Sequence, residues 1–136
     1  MTEFLRYLCI ILIGMTAVSW AGCSDEHPAG YHIATDCMEQ VQSIIPYVGH
    51  GNHGTRGWPE CLRRGGDCND QADKVRRLCR FEGLEVDMIV GRIDGAPHAW
   101  CEWQAADGTD WILDTVHYYR PIRADSREAA RYSYGL

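Results

Sequence analysis

Apolar positions along the chain fall into two regimes. Residues 7–21 (YLCIILIGMTAVSWA) are apolar apart from Thr16 and Ser19. Fifteen residues fall short of the roughly 20 that a helix needs to span a bilayer, and suit the apolar core of a secretory signal. From residue 31 onward the pattern becomes periodic. Met38, Val41, Ile44 and Ile45 recur on one side of a helix expected over 35–45, with Thr35 as its N-cap and Pro46 as its stop. Cys68, Ala72, Val75 and Cys79 stand at i, i+4, i+7 and i+11 and predict the strongest helix, with Asp70, Asp73, Lys74, Arg77 and Arg80 on its other sides. Asp67 suits its N-cap, Asp70 puts negative charge in its first turn, and Gly83 ends it. Partial alternation over 84–91 predicts a strand. Residues 98–103 and 110–114 predict two more, joined across the turn signal Asp107-Gly108. Residues 47–57 read as a glycine-rich loop and 124–131 as a short closing helix. Helices first, then antiparallel strands, is α+β organisation.

Composition narrows the setting. The 136 residues make one domain of ordinary globular composition, 46% apolar and 24% charged. Thirteen basic residues against 19 acidic give a net charge of -6. A protein that neutralises phosphates wants the opposite sign, so no nucleic-acid partner is expected. The apolar run closes on Trp20-Ala21-Gly22-Cys23, which resembles the bacterial lipoprotein signal, where the cysteine is lipidated and becomes the new amino terminus. An ordinary cleaved export signal and a retained membrane anchor are the alternatives. All three place the domain outside the cytoplasm, in the periplasm or on the outer face of a bacterial membrane. The chain then divides into a signal over 1–22, a short polar tether over 23–30 and a folded domain over 31–136.

Seven cysteines is an odd count. Cys9 would leave with the signal and Cys23 would carry the lipid. Among the rest, Cys68 stands out, because it sits at a helix start directly after Gly65-Gly66-Asp67. Partial positive charge there favours thiolate over thiol, and the same N–H groups can receive an oxyanion. His98 opens one predicted strand and Asp114 closes the next. Thiol, imidazole and carboxylate in that order make a nucleophile, a base and a group that orients the base.

These residues carry a resemblance. Gly66-Asp67-Cys68-Asn69-Asp70-Gln71-Ala72, then Leu78 and Gly83-Leu84, His98-Ala99-Trp100 and Trp111-Ile112-Leu113-Asp114 resemble the transglutaminase-like superfamily of cysteine enzymes. The chain is also similar to the bacterial transglutaminase-like cysteine peptidases. The resemblance implies a papain-like core, with the helix that bears Cys68 packed on a small antiparallel sheet. It implies Cys68 as nucleophile, His98 as base and Asp114 as the orienting acid. Relatives take a further oxyanion donor from upstream, where Trp58 and Asn52 are candidates. Trp100, on the strand face of His98, is expected to wall the site, touch substrate or fill core. Asp67 and Asp70 read as helix-start electrostatics. His50 and His53 have zinc-like spacing but lie in a glycine loop without clear further ligands, and no metal or other cofactor is expected.

Cys37, Cys61, Cys79 and Cys101 remain as an even set open to pairing in an oxidising compartment. Strand parity points Cys101 away from His98, whereas Cys79 shares the helix face of Cys68. A Cys79–Cys101 bridge is therefore disfavoured. The expected activity is acyl transfer through a thioester on peptide or glutamine-type amides in the cell envelope, hydrolytic in preference to crosslinking. A non-catalytic envelope binding domain is one rival reading; a thiol–disulfide oxidoreductase, suggested by the cysteine count, is the other, although the sequence has no C-x-x-C. The expected partners are a peptide or protein substrate and the membrane, reached through the lipid on Cys23.

Overall fold

A computed structural model of the protein describes residues 27–49 and 55–135. The apolar run at 7–21, Cys9, Cys23, His50, Asn52 and His53 lie outside them. Among the described residues, no helix is long and apolar enough to cross a membrane.

Helix α1 (Tyr31–Ile44) begins four residues before the expected start, after Gly30 at φ 91. Thr35 is not its cap. Its hydroxyl donates back to the Tyr31 carbonyl at 2.9 Å, which satisfies it inside the helix. Tyr31 and Ala34 extend the buried face of Cys37, Met38 and Val41 toward the amino end, and that burial decides where the helix starts. Helix α2 (Trp58–Arg64) follows the expected loop, in a stretch where no element was predicted. Its single buried residue is Cys61, so the sequence shows no apolar period there.

Helix α3 (Cys68–Phe81) is capped by Asp67 as predicted. Three residues expected on its other sides, Asp70, Asp73 and Lys74, are buried instead. Lys74 Nζ donates to the Arg56 carbonyl at 2.5 Å and to the Asp73 carboxylate at 2.9 Å. Asp73 also accepts from Arg76 at 2.7 Å and Arg77 at 3.0 Å, so its buried charge is fully compensated.

Five strands follow: β1 (Val86–Ile93), β2 (Ala96–Gln104), β3 (Asp110–Leu113), β4 (Ile122–Arg123) and β5 (Tyr132–Tyr134). Their order is β4-β3-β2-β1-β5 and every neighbouring pair is antiparallel. The expected closing helix is replaced by β4 and a 3-10 turn (Glu128–Arg131), because the chain crosses here from one sheet edge to the other.

Alternation splits the strands between two cores. Val86, Ala99, Cys101, Trp103, Trp111 and Leu113 face α1 and α3. Trp100, Ile93, Ile112, Ile122 and Tyr132 form a second cluster on the opposite face. The sequence is α+β, and α3 packs on β2 and β1 while α1 packs on α3.

Gly91 makes the second cluster possible. It pairs with His98 across the β1–β2 ladder and with Tyr134 across β1–β5. A Cβ here would lie 2.4 Å from the Ser133 carbonyl oxygen and 2.7 Å from the Trp100 ring. Gly91→Ala should therefore lose about 1–3 kcal/mol of stability through overpacking. Urea unfolding measures this, and an unchanged midpoint would show that β5 does not close over Trp100.

Candidate active site

The site is assembled from a helix end and two strand ends. Around the start of α3 the chain is fastened on both sides. Tyr47 bridges Gly66, the Val48 N–H donates to the Gly66 carbonyl at 2.9 Å, and the Gly66 N–H donates to the Pro46 carbonyl at 3.0 Å. Asp67 and Asp70 then form a reciprocal capping box, with the Asp70 N–H on Asp67 Oδ1 at 3.1 Å and the Asp67 N–H on Asp70 Oδ2 at 3.0 Å. A Cβ at Gly66 would come 2.6 Å from the Asp70 Cβ, so the box needs glycine there. Both acids thus serve the helix start, as expected. Cys68 becomes the first helical residue, beside N–H groups that carry partial positive charge.

His98 projects from β2 and Asp114 follows the last residue of β3. The His98 Nε2–H donates to Asp114 Oδ2 at 2.9 Å, and Cys68, at the start of α3, lies close enough to the same imidazole to raise it. Asp114 also accepts from the Tyr132 hydroxyl at 2.5 Å and the Val116 N–H at 3.1 Å. The three residues singled out from sequence therefore meet. All are nearly closed off, at 2%, 5% and 2% exposure for Cys68, His98 and Asp114.

Burial by itself disfavours a charged imidazole. The hydrogen bond with Asp114 and then the nearby Cys68 outweigh it and push His98 up to about 9. Burial likewise works against an ionised Asp114, but the His98 hydrogen bond and charge, followed by the Tyr132 hydroxyl, hold its carboxyl below the usual range. The arrangement favours an imidazolium beside an ionised carboxylate. That is the charge state a thiolate nucleophile needs.

Trp100 sits under His98 with ring centroids 6.2 Å apart and makes an edge contact with Tyr132 at 4.9 Å. It is fully buried and its indole N–H is committed to Glu102 Oε1 at 3.3 Å. It walls the site from beneath, and the substrate or oxyanion role considered for it does not fit. Trp58 supplies a ring beneath the Lys74 ammonium, 5.8 Å from the centroid.

Further residues border the site. The His117 ring meets His98 edge-on at 5.0 Å, and burial holds its imidazole below the ordinary value. His98, Asp114 and His117 offer ligand atoms within 4.8 Å of one another, although Asp114 Oδ2 already serves His98 and Tyr132. Tyr47 is raised by burial and by the negative charge of Cys68, Asp67 and Asp114. It lines a cavity of ≈ 180 Å³ with Gln42, Gln71, Thr115 and His117. Tyr132 carries no sequence signal at all, since it stands outside the motif blocks and reaches Asp114 only through strand order. Gln71 lies inside the first block, but its partner Thr115 emerges only in the fold, where the Thr115 hydroxyl donates to Gln71 Oε1 at 2.5 Å.

The cysteine parity argument needs correcting. The body of α3 covers the sheet face opposite His98, where the Cys101 thiol donates to the Ala72 carbonyl at 3.0 Å. Only the first residue of the helix reaches His98. Cys79 and Cys101 therefore share one core, not opposite sides of the sheet. All five described cysteines are free thiols.

No protein-family model matches the chain. Over 61 residues it is 38% identical to the centrosomal protein of 76 kDa of Mus musculus, and over 73 residues 37% identical to that of Pongo abelii. These stretches are 44% and 50% of this chain, but it spans only about a tenth of the length of those relatives, 9% and 11%. Among solved structures, calcium-bound LapG of Legionella pneumophila superposes with a TM-score of 0.57 at 14% identity, covering 75% of this chain and 61% of that one. A second LapG structure gives 0.51 at 16% identity, covering 72% and 60%. The chain has the LapG fold.

The pH dependence follows from the two shifts. His98 is raised from its ordinary 6.5, so the stability of its pair with Asp114 is full below pH 6.5 and is lost as pH climbs through about 9. Asp114 is lowered from 3.8, so the same stability is present above pH 3.8 and is lost as pH falls through its depressed value. Imidazole NMR should find His98 titrating near 9, and markedly lower in Asp114→Asn, where Cys68 alone is left to oppose burial. The stability gap between the two proteins should be largest near pH 5–6 and shrink by pH 10. A His98 that titrates near 6.5 in both proteins means that the pair does not form.

Proposed function

We propose that this chain is a cysteine-dependent acyl-transfer enzyme that hydrolyses peptide or glutamine-type amides through a thioester in the bacterial cell envelope. One observation carries the reading: the Cys68 thiol and the Asp114 carboxylate lie beside the same His98 imidazole, at a helix start. The motif resemblance to transglutaminase-like cysteine enzymes supports the chemistry, and the likeness to LapG supports the fold on which it rests.

In this mechanism His98 holds the proton taken from Cys68. The Cys68 sulfur attacks the amide carbonyl, and a C–S bond forms while the oxyanion faces the N–H groups at the α3 start. Collapse breaks the C–N bond, and His98 delivers its proton to the leaving amine. Water then attacks the thioester, His98 takes a proton from it, and Cys68 is released with that proton. Asp114, anchored by Tyr132 and Val116, keeps the ring nitrogen at Nε2 protonated and directed, so the other nitrogen serves Cys68. The adjoining cavity is small, which favours water over a second ordered substrate as the acyl acceptor.

Export and lipidation complete the reading. A lipid on Cys23 and a tether to residue 30 would confine the domain to peptide or protein substrates near the membrane. Labelling with an alkyne palmitate analogue in a bacterial host should mark the protein and vanish in Cys23→Ala. Equal label in both proteins would remove the anchor from the proposal.

The enzyme reading is tested at Cys68 itself. Iodoacetamide should modify Cys68 quickly at pH 6, and His98→Ala should slow it about tenfold or more by removing the imidazolium. Amide cleavage in an envelope extract should fall about 10³-fold or more in Cys68→Ser. Slow labelling that His98→Ala leaves unchanged would sink the enzyme reading and leave a binding domain. Incorporation of a fluorescent primary amine in preference to hydrolysis would make the enzyme a crosslinker.

A further inference from the structure

His117 gives the His98–Asp114 pair a third ligating side chain. One ligand atom from each of His98, Asp114 and His117 lies within 4.8 Å of the other two. His117 is exposed, and its imidazole makes no hydrogen bond among the described residues. It also lines the cavity of ≈ 180 Å³ with Tyr47, Gln71 and Thr115, so an ion reaches the buried pair from that side. Arg131, a cation whose charge is felt at His117, is paired with Asp94 at 2.7 Å. Besides His98, Asp114 accepts from the Tyr132 hydroxyl and the Val116 N–H, donors of the kind that orient a ligating carboxylate from behind.

We propose that His98, Asp114 and His117 bind a zinc-class divalent ion, which takes the place of the proton shared by His98 and Asp114. Two imidazoles and one carboxylate suit such an ion, and three protein ligands leave a fourth position for water from the cavity. Calcium and magnesium want a shell of oxygens, which one carboxylate does not provide. The 2.9 Å between His98 Nε2 and Asp114 Oδ2 fits two metal bonds of about 2.0–2.1 Å meeting at roughly a right angle. A few tenths of an ångström of opening brings the two atoms to tetrahedral spacing. His117, exposed and without a hydrogen bond among the described residues, supplies the remaining movement. The displaced proton leaves to solvent. With the ion bound, His98 no longer carries the proton that acyl transfer moves, so occupation inhibits the enzyme. That consequence rests on the proposed function; the binding does not.

The test is a cobalt(II) titration of the full chain, followed by visible absorption. One ion per chain should bind with the d–d bands of nitrogen and oxygen ligands. Zinc should displace it and abolish the bands, whereas calcium should not. His117→Gln should weaken cobalt binding about tenfold or more, since even a partner behind a ligand is worth that much. Cys68→Ser should keep the spectrum, and so should His50→Ala combined with His53→Ala. Because Cys68→Ser removes the nucleophile, binding that survives there stands even if the enzyme reading falls. Absence of binding, a cobalt–thiolate band that Cys68→Ser removes, loss of the ion with the two loop histidines, or undiminished affinity in His117→Gln would each overturn the proposal.

Discussion

A buried carboxylate organises this protein. Ionised Asp114 in a closed interior is tolerable only with several compensating donors. His98, Tyr132 and Val116 supply them from β2, from β5 and from the turn that follows β3. Tyr132 can do so only because the chain runs from β4 at one sheet edge to β5 at the other. That crossing requires β5 to lie close against β1, and the close approach is what leaves no room for a side chain at Gly91. Trp100 fills the space beneath, against both His98 and Tyr132. The second core and the His98–Asp114 pair are therefore one construction, seen from two sides.

Cys68 is brought to this carboxylate network by a different device. The α3 helix shields the opposite face of the sheet, and only its amino end reaches His98. The position of that end must accordingly be exact in rotation and in height along the helix. The capping box sets the first turn, the Tyr47–Gly66 bridge holds the approach, and the buried Lys74 ties the Arg56 carbonyl to the second turn. The Arg56 N–H on Asp70 Oδ1 at 2.6 Å closes the ring of contacts. Charge at this helix start is thus spent on geometry as well as on field.

What was legible in the sequence was local. The α3 helix could be read because its cap, its apolar period and its terminating glycine all lie within 17 residues of chain, from Asp67 to Gly83. The β2–β3 hairpin could be read from its turn and alternation, and with it His98 and Asp114. Tyr132 could not, because its role depends on strand order. Helix α2 could not, because one buried Cys61 makes no period. The burial of Lys74 and Asp73 was hidden for a related reason, since an ion pair inside a core has the sequence signature of one on a surface. Cys79 and Cys101 share one core because α3 meets His98 with its end and not with the face that bears Cys79.

The same helix pair shapes the approach to the site. Ile45, directly after α1, accepts from Gln71 Nε2 at 3.2 Å, and Gln71 Oε1 accepts from Thr115. Gln42 on α1 donates to the carbonyls of Thr115 and Tyr118 at 2.9 and 2.7 Å. The segment after Asp114 is therefore hung from α1 and α3 together, and the cavity beside His117 has the width those helices allow. Packing of α1 on α3 thereby sets the wall of the cavity. Cys68 itself is only 2% exposed. Closure of the site and cohesion of the helix pair are consequently a single mechanical property of the domain.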